Sequence, residues 1–436
     1  MNFAESVKYV ETQTRQSREK VDLSIITELL HRVGNPQDSF KIIHIAGTNG
    51  KGSVCAYIEC ALREQGYKTG LFTSPYIEVF NERIKISGSN VEDETFSLAA
   101  TKVKKIAEEM TAEGYYAPSF FELLTTIAFL VFKEQNIDIA VVEVGIGGTY
   151  DSTNIVQPIL SVITPIAYDH MNILGDTIDA IAENKAGIIK QNCPVVAANQ
   201  EYDEAYAVLL NAAKEKNAPF FSLGKSKILI DSIGFAGAKF SFRYDSIVSD
   251  VETSLLGYHQ VQNAACAFLS LCVLSQYTKV KLSPQSILKG IKNAKWPGRM
   301  ELVSESPFII LDGAHNEHAM QALVNTMKDF IPIGKITAIF GVMKRKNYIS
   351  MAKSLSKAAD IIYTVTIDDD QSVEGNELAQ ELQDLNINAQ CVGGLEATIN
   401  ELIKQENGLL LICGSLHLAG KASRIFKMLK KHNILH

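Results

Sequence analysis

Residues 47–53, Gly-Thr-Asn-Gly-Lys-Gly-Ser, stand between an apolar, β-rich run, KIIHIAG (41–47), and a stretch in which Val54, Tyr57, Ile58, Ala61 and Leu62 recur at helical spacing. Gly66 supplies the helix stop. A strand that hands over to a helix through such a loop aims backbone N–H groups, the positive helix end and Lys51 at one point. That point suits an anionic phosphate chain. The spelling departs from the usual Walker pattern, because Gly52 follows the lysine and the hydroxyl comes one place later, at Ser53. A glycine-rich turn with a solvated lysine is the competing reading, and the strand before and helix after weigh against it.

The same alternation continues on both sides. IDIAVVEVG (137–145) and ILSVITPIA (159–167) are continuous apolar runs, as parallel strands covered on both faces require. From residue 308 the order is regular: FIIL, a helix carrying Met320, Leu323, Val324 and Met327, then ITAIFG, a helix, IIYTVTI, a helix, and GLLLICGS with a basic helix. The expected class is α/β, with a second parallel sheet in the last 130 residues or so. WPGRME (296–301) punctuates the chain between the halves. Residues 219–256 interrupt the pattern, since FSFRYD alternates like a half-exposed antiparallel strand, and they read as an insertion.

Length and composition fit this picture. A chain of 436 residues predicts two or three domains, and 46% hydrophobic with 21% charged residues predicts a folded globule. Lys plus Arg number 42 against 49 Asp plus Glu, a net charge of −7, which argues against a nucleic-acid partner. No uncharged stretch is long enough to span a bilayer, and the first twenty residues lack the apolar core of a signal peptide, so a cytoplasmic location is expected. Seven scattered cysteines without C-x-x-C spacing read as small buried hydrophobes.

Candidate chemistry gathers at strand ends. Glu143 closes IAVVEVG, where an open parallel sheet binds ligands, so its carboxylate can hold Mg2+ beside phosphates or can be a buried acid satisfied by backbone N–H groups. Asp169-His170 follows the next strand and opens on the same edge. Lys185 has apolar neighbours that would make its amine easier to deprotonate, although on sequence alone a surface lysine is the simpler reading. In the second half Asp312-Gly313-Ala314-His315-Asn316 and Gly414-Ser415 end strands, and Arg299 could reach a phosphate or carboxylate.

Taken in order, HIAGTNGKGS (44–53), TSPYIEVFNERI (73–84), EVGIGG and DSTN (143–154), ITPIAYDHMNILGDTIDAIAENKAGIIK (163–190), LLGYHQVQNAACA (255–267), WPGRME, DGAHN (312–316) and ICGSL (412–416) resemble the folylpolyglutamate synthase and dihydrofolate synthase family of the Mur-ligase superfamily. The resemblance implies a P-loop ATP-binding domain with a mainly parallel sheet over residues 1–297. A smaller Rossmann-like ligase domain over 298–436 would close with it over ATP, a folate or dihydropteroate, and L-glutamate, with the 296–301 linker as hinge. It implies that Gly47, Thr48, Asn49, Gly50, Lys51, Gly52 and Ser53 hold the triphosphate, with Asn263, Arg299 and Asp312 as further ATP contacts. Ser74, Glu143 and His170 would hold Mg2+, with Ser53 a further candidate. Lys185 matches the lysine that the family carbamylates with CO2. Arg83, His315 and Ser415 match positions near the glutamate pocket, with His315 as a candidate base.

Several spellings depart from the commonest family pattern: Tyr76 after T-S-P, Thr149-Tyr150 after the glycines, Asn184 before Lys185, Glu317 after D-G-A-H-N, and Lys344-Arg345-Lys346-Asn347 for K-D-K-D. None removes a phosphate or metal group, and the choice of folate, dihydropteroate included, stays open. A peptidoglycan-type Mur ligase is the runner-up, disfavoured because 40 residues before the loop leave no room for a UDP-binding domain. A nucleotide-binding homologue without ligase activity is the third reading. The chain is expected to act as a monomer.

Overall fold

The computed structural model describes residues 1–13, 22–328, 334–404, 408–432 and 435. They divide into two compact bodies. The first comprises Met1–Leu229, Phe240–Thr253 and Gln262–Ala294, and the second Ile230–Lys239, Ser254–Val261 and Lys295–His436.

The first body is built on an eight-stranded sheet: β1 (Lys41–Ala46), β2 (Thr69–Phe72), β3 (Ile84–Ile86), β4 (Ser89–Asn90), β5 (Ile139–Glu143), β6 (Leu160–Ile163), β7 (Val195–Ala197) and β8 (Phe220–Ser222). Their order is β4-β3-β2-β5-β1-β6-β7-β8. β1 lies between β5 and β6 and pairs with both in parallel, and every residue of β1 after Lys41 is buried. That is why the apolar run is unbroken: helices cover both faces, so no position can be polar for solvent. Only β3 and β4, at one edge, run antiparallel to their neighbours.

After β1 the chain turns into the helix Lys51–Glu64, which is buried from Ser53 to Leu62. The helix Pro284–Asn293 packs so closely on it that a methyl on Gly290 would stand 2.2 Å from Ala61 Cα. Gly290 is thus small because two backbones approach there.

β8 corrects the expected insertion: residues 220–222 extend the main sheet, because this short segment pairs in parallel with β7. Beyond it, β9 (Lys227–Gly234), β10 (Gly237–Tyr244) and β11 (Ile247–Thr253) form a separate three-stranded sheet, ordered β11-β10-β9. Phe240 and Phe242 are buried while Lys239 and Arg243 are exposed, the alternation read from the sequence.

The second body holds β12 (Glu301–Glu305), β13 (Phe308–Leu311), β14 (Ile336–Phe340), β15 (Ile361–Thr364), β16 (Ala389–Gln390) and β17 (Leu409–Cys413), ordered β12-β13-β17-β14-β15-β16. All pairs are parallel except β12 with β13, so the expected parallel sheet carries one antiparallel edge. Apolar side chains from both faces form its core, among them Met320, Leu323, Val324 and Met327 of the helix Glu317–Met327. No helix among the described residues is long and apolar enough to cross a membrane. All seven cysteines are free thiols, five of them buried and Cys272 and Cys391 partly so.

Candidate active site

The loop after β1 is tied to the loop after β6. Thr48 and Asn49 donate their backbone N–H groups to the Pro165 carbonyl at 2.9 and 3.3 Å. The Thr48 hydroxyl donates to the Ala167 carbonyl at 3.0 Å and accepts from the Ala167 N–H at 3.1 Å. Two glycines are required here. Gly47 has φ +144 with the Thr164 side chain 1.9 Å from where a Cβ would stand, and Gly50 has φ +86 with Asn263 Oδ1 at 2.4 Å. Asn263 is therefore placed against the loop.

Lys51 opens the helix, and Gly52 and Ser53 follow in its first turn. The Lys51 amine donates to the Thr48 carbonyl at 3.3 Å and stands 3.8 Å from Glu143 Oε1. Glu143, at the end of the adjacent β5, accepts from the Ser74 backbone N–H at 3.1 Å. The carboxyl edge of this sheet thus brings Lys51, Glu143 and the Ser74 backbone together, where an open parallel sheet binds ligands.

Lys185 lies on the last turn of the helix Ile178–Ala186, whose start is capped by the Thr177 hydroxyl. It is 4% exposed, and its amine donates to the Gly47 carbonyl at 2.8 Å. Burial first, and then the Lys51 charge, lower its pKa from 10.5 to about 7, against the opposing pull of Asp169 and Asp151. The reading of a surface lysine is overturned: the helix C-terminus is covered by the loop after β5, where a methyl on Gly148 would meet the Asn184 carbonyl at 2.6 Å. His170 follows Asp169 on left-handed backbone, φ 50, and its Nε2 is 3.9 Å from Asp169 Oδ2.

Asp151, to which the sequence pattern assigns no role, organises the loop beneath Lys185. Its carboxylate accepts from the Ile146 and Thr153 N–H groups, each at 3.0 Å, and from the Thr153 hydroxyl at 2.5 Å. Thr153 in turn meets His44 Nε2 at 2.8 Å. The DSTN motif is the available signal, but nothing in its spacing says which strand end it braces.

Arg83 is also in the first body. Its guanidinium lies 5.0, 5.5 and 5.3 Å from the ring centroids of Tyr76, Phe80 and Phe120. It is buried, its Nε has no hydrogen-bond partner among the described residues, and burial pulls its pKa down to about 10.

Arg299, Asp312, His315 and Ser415 belong to the second body. Asp312 follows β13 and accepts from the Met300 and Ala314 N–H groups at 2.8 and 2.7 Å. Burial raises its pKa, with Arg299 acting in the opposite direction. His315 Nδ1 is 2.9 Å from the Gly313 carbonyl. A carbonyl only accepts, so Nδ1 carries a proton. Ser415 follows β17 and caps the helix Leu416–Lys431, accepting from the His417 N–H at 3.1 Å. Among the described residues no three His, Cys, Asp or Glu side chains cluster as a metal cage.

A phosphate loop on a parallel sheet, a carboxylate on the neighbouring strand and a second parallel α/β body define an ATP-dependent ligase of the Mur type. Residues 45–271 match the Mur ligase middle domain, and residues 298–416 the Mur ligase glutamate ligase domain. The chain belongs to the folylpolyglutamate synthase and dihydrofolate synthase family. It is 39% identical to the dihydrofolate synthase/folylpolyglutamate synthase of Bacillus subtilis, covering 91% of this chain and 93% of that one. It is 35% identical to the folylpolyglutamate synthase (FPGS) of Lacticaseibacillus casei, covering 96% and 97%. A solved FPGS–AMPPCP–folate complex superposes with a TM-score of 0.85 at 34% identity, covering 97% and 99%.

Proposed function

We propose that this protein joins L-glutamate to the γ-carboxylate of a folate, with ATP as the activating substrate. The observation that carries the reading is that one loop engages two lysines, Lys51 through the Thr48 carbonyl and Lys185 through the Gly47 carbonyl, with Glu143 3.8 Å from Lys51, in a chain whose relatives carry out this ligation.

A carboxylate cannot lose oxide to an amine, so it must first be activated. The γ-carboxylate oxygen attacks the γ-phosphorus of ATP, the bond to ADP breaks, and an acyl phosphate forms. Lys51 and the loop N–H groups neutralise charge spread over the transferred group. The amine of glutamate then attacks the acyl carbon, and phosphate leaves. We assign His315, whose ring is oriented by the contact of its Nδ1 with the Gly313 carbonyl, to take the proton the amine loses. Arg83 and Ser415 hold carboxylates of the substrates, and Asn263, Arg299 and Asp312 hold the nucleotide.

The donors near the loop fit Mg2+. Glu143 offers a hard carboxylate oxygen 3.8 Å from the phosphate lysine and is bonded to the Ser74 N–H, Ser53 and Ser74 carry hydroxyl oxygens of the same hard kind, and this ion takes one or two protein oxygens together with phosphate and water. His170 would complete the set. When bound, the ion would neutralise phosphate charge. Lys185 fits the carbamate: a buried amine with a pKa near 7 supplies the neutral form that attacks CO2, loses a proton and becomes an anion.

Dihydropteroate is a second acceptor in this proposal, supported by the double name of the B. subtilis relative. The test is ADP release by the purified chain with tetrahydrofolate or dihydropteroate, with and without L-glutamate, and product mass as readout. Products that grow by glutamate units are expected. ATP turnover indifferent to both substrates would overturn the reading.

A further inference from the structure

Met300 is a buried, non-glycine residue on left-handed backbone, φ 44, immediately after Arg299. A methionine rarely adopts that conformation, and one that does is held there by its surroundings. Two restraints are visible. The Met300 N–H donates to Asp312 Oδ2 at 2.8 Å, and the Gly313 N–H donates to the Gly298 carbonyl at 2.8 Å, so the turn at 298–300 is fastened to the loop after β13. From the other side, a methyl on Gly257 would stand 2.7 Å from His259 Cε1, 2.9 Å from His259 Nδ1 and 2.9 Å from Met300 Sδ. Gly257 is therefore the floor on which the imidazole and the thioether meet.

His259 is partly buried, and its Nδ1, shut off from solvent, has no hydrogen-bond partner among the described residues. A buried, unsatisfied ring nitrogen is a cost the fold tolerates for some return. Burial first, and then the charges of Arg299 and His318, push its pKa down to about 4, so the ring is neutral and packs as a flat wedge. The guanidinium of Arg299 lies over the Gly313 backbone, where a methyl would meet its Nη1 at 3.1 Å. All of these residues belong to the second body.

We propose that His259 is a positioning residue for Arg299: with Gly257 and Met300 it holds the left-handed turn that lays the guanidinium over Gly313. Without the wedge, Met300 relaxes toward negative φ and the preceding side chain swings away. The proposal rests on the reading of Arg299 as a nucleotide contact.

The test compares His259→Asn, Arg299→Ala and the double variant of the full chain, measuring KM for ATP, KM for glutamate and kcat. A lost hydrogen bond to a charged group changes binding by roughly tenfold or more. His259→Asn should raise KM for ATP by about tenfold when Arg299 is present and by less than about twofold in the Arg299→Ala background. Equal shifts in both backgrounds, or a lower kcat with KM for ATP unmoved, would overturn it. Should His259→Asn not fold, Met300→Val and Met300→Asn replace it. Both lose the thioether, but only asparagine accepts the left-handed backbone, so valine should raise KM for ATP and asparagine should leave it near the wild type. An equal effect of the two overturns the assignment. An Arg299→Ala enzyme with unchanged KM for ATP removes the nucleotide reading and this inference with it. A wild-type chain that turns over ATP without joining glutamate removes only the assigned ligation.

Discussion

The amine of Lys185 is hydrogen-bonded to the carbonyl oxygen of Gly47, at 2.8 Å, although the two residues stand 138 positions apart. Gly47 opens the phosphate loop, so the lysine is fastened to the backbone that would carry the nucleotide. A permanently charged amine 4% exposed beside Lys51 would be poorly solvated and repelled. The proposed conversion to an anionic carbamate would reverse the sign of that repulsion.

Lys185→Ala should therefore reduce turnover to below about a thousandth of wild type, on the scale of losing a preorganised electrostatic group. Short carboxylic acids should partly restore it by placing an anion in the vacated space. The check is steady-state ADP release with and without added acetate or formate. Full activity in the alanine variant would remove the carbamate from the proposal.

How much of this was legible in the sequence follows from where each signal resides. β1, β5, β6 and the helix after the loop could be read because covered parallel strands leave unbroken apolar runs. Burial of Lys185 could not, because it arises from Gly148 and Asn184 meeting across more than thirty residues, and no local period encodes that approach. The bracing of the loop by Asp151 and His44 was hidden for the same reason. The fold edges were also less regular than the pattern implied: β8 is three residues long, too short for periodicity to mark.

Gly50 gives a second prediction. Its φ of +86 and the 2.4 Å that would separate an added methyl from Asn263 Oδ1 act together, so Gly50→Ala should lower stability by more than about 1 kcal/mol and raise KM for ATP. In Gly50→Ala/Asn263→Ala the clash is gone while the backbone strain persists. Urea unfolding should therefore show partial recovery of stability. Full recovery would mean that the left-handed turn costs nothing.

Arg83 separates binding from stability. A buried guanidinium whose Nε lacks a partner among the described residues is unfavourable unless a ligand carboxylate completes it. Arg83→Met keeps an apolar stem among Tyr76, Phe80 and Phe120 and discards the charge. The melting temperature should hold or rise, while KM for a carboxylate substrate rises by about tenfold and KM for ATP stays put. A large fall in melting temperature with unchanged KM values would make Arg83 structural.

The last prediction concerns acid. His44 sits in the middle of β1 with no exposed surface, and burial first, then the Lys190 charge, lower its pKa from 6.5 to about 3. The unfolded chain therefore binds a proton below pH 6.5 that the folded chain refuses until about pH 3. Stability is unaffected by this residue above that window and falls as pH drops through it. Applying the linkage relation between pH 7 and pH 5 gives a loss of roughly 2 kcal/mol from this one ring. His44→Gln keeps a donor for Thr153 but has nothing to titrate, so its stability should drop by roughly 2 kcal/mol less over the same interval. Urea unfolding of both proteins at the two pH values measures the difference. Identical drops would mean that the folded chain takes up this proton over the same pH interval as the unfolded chain, and that burial does not hold the ring neutral.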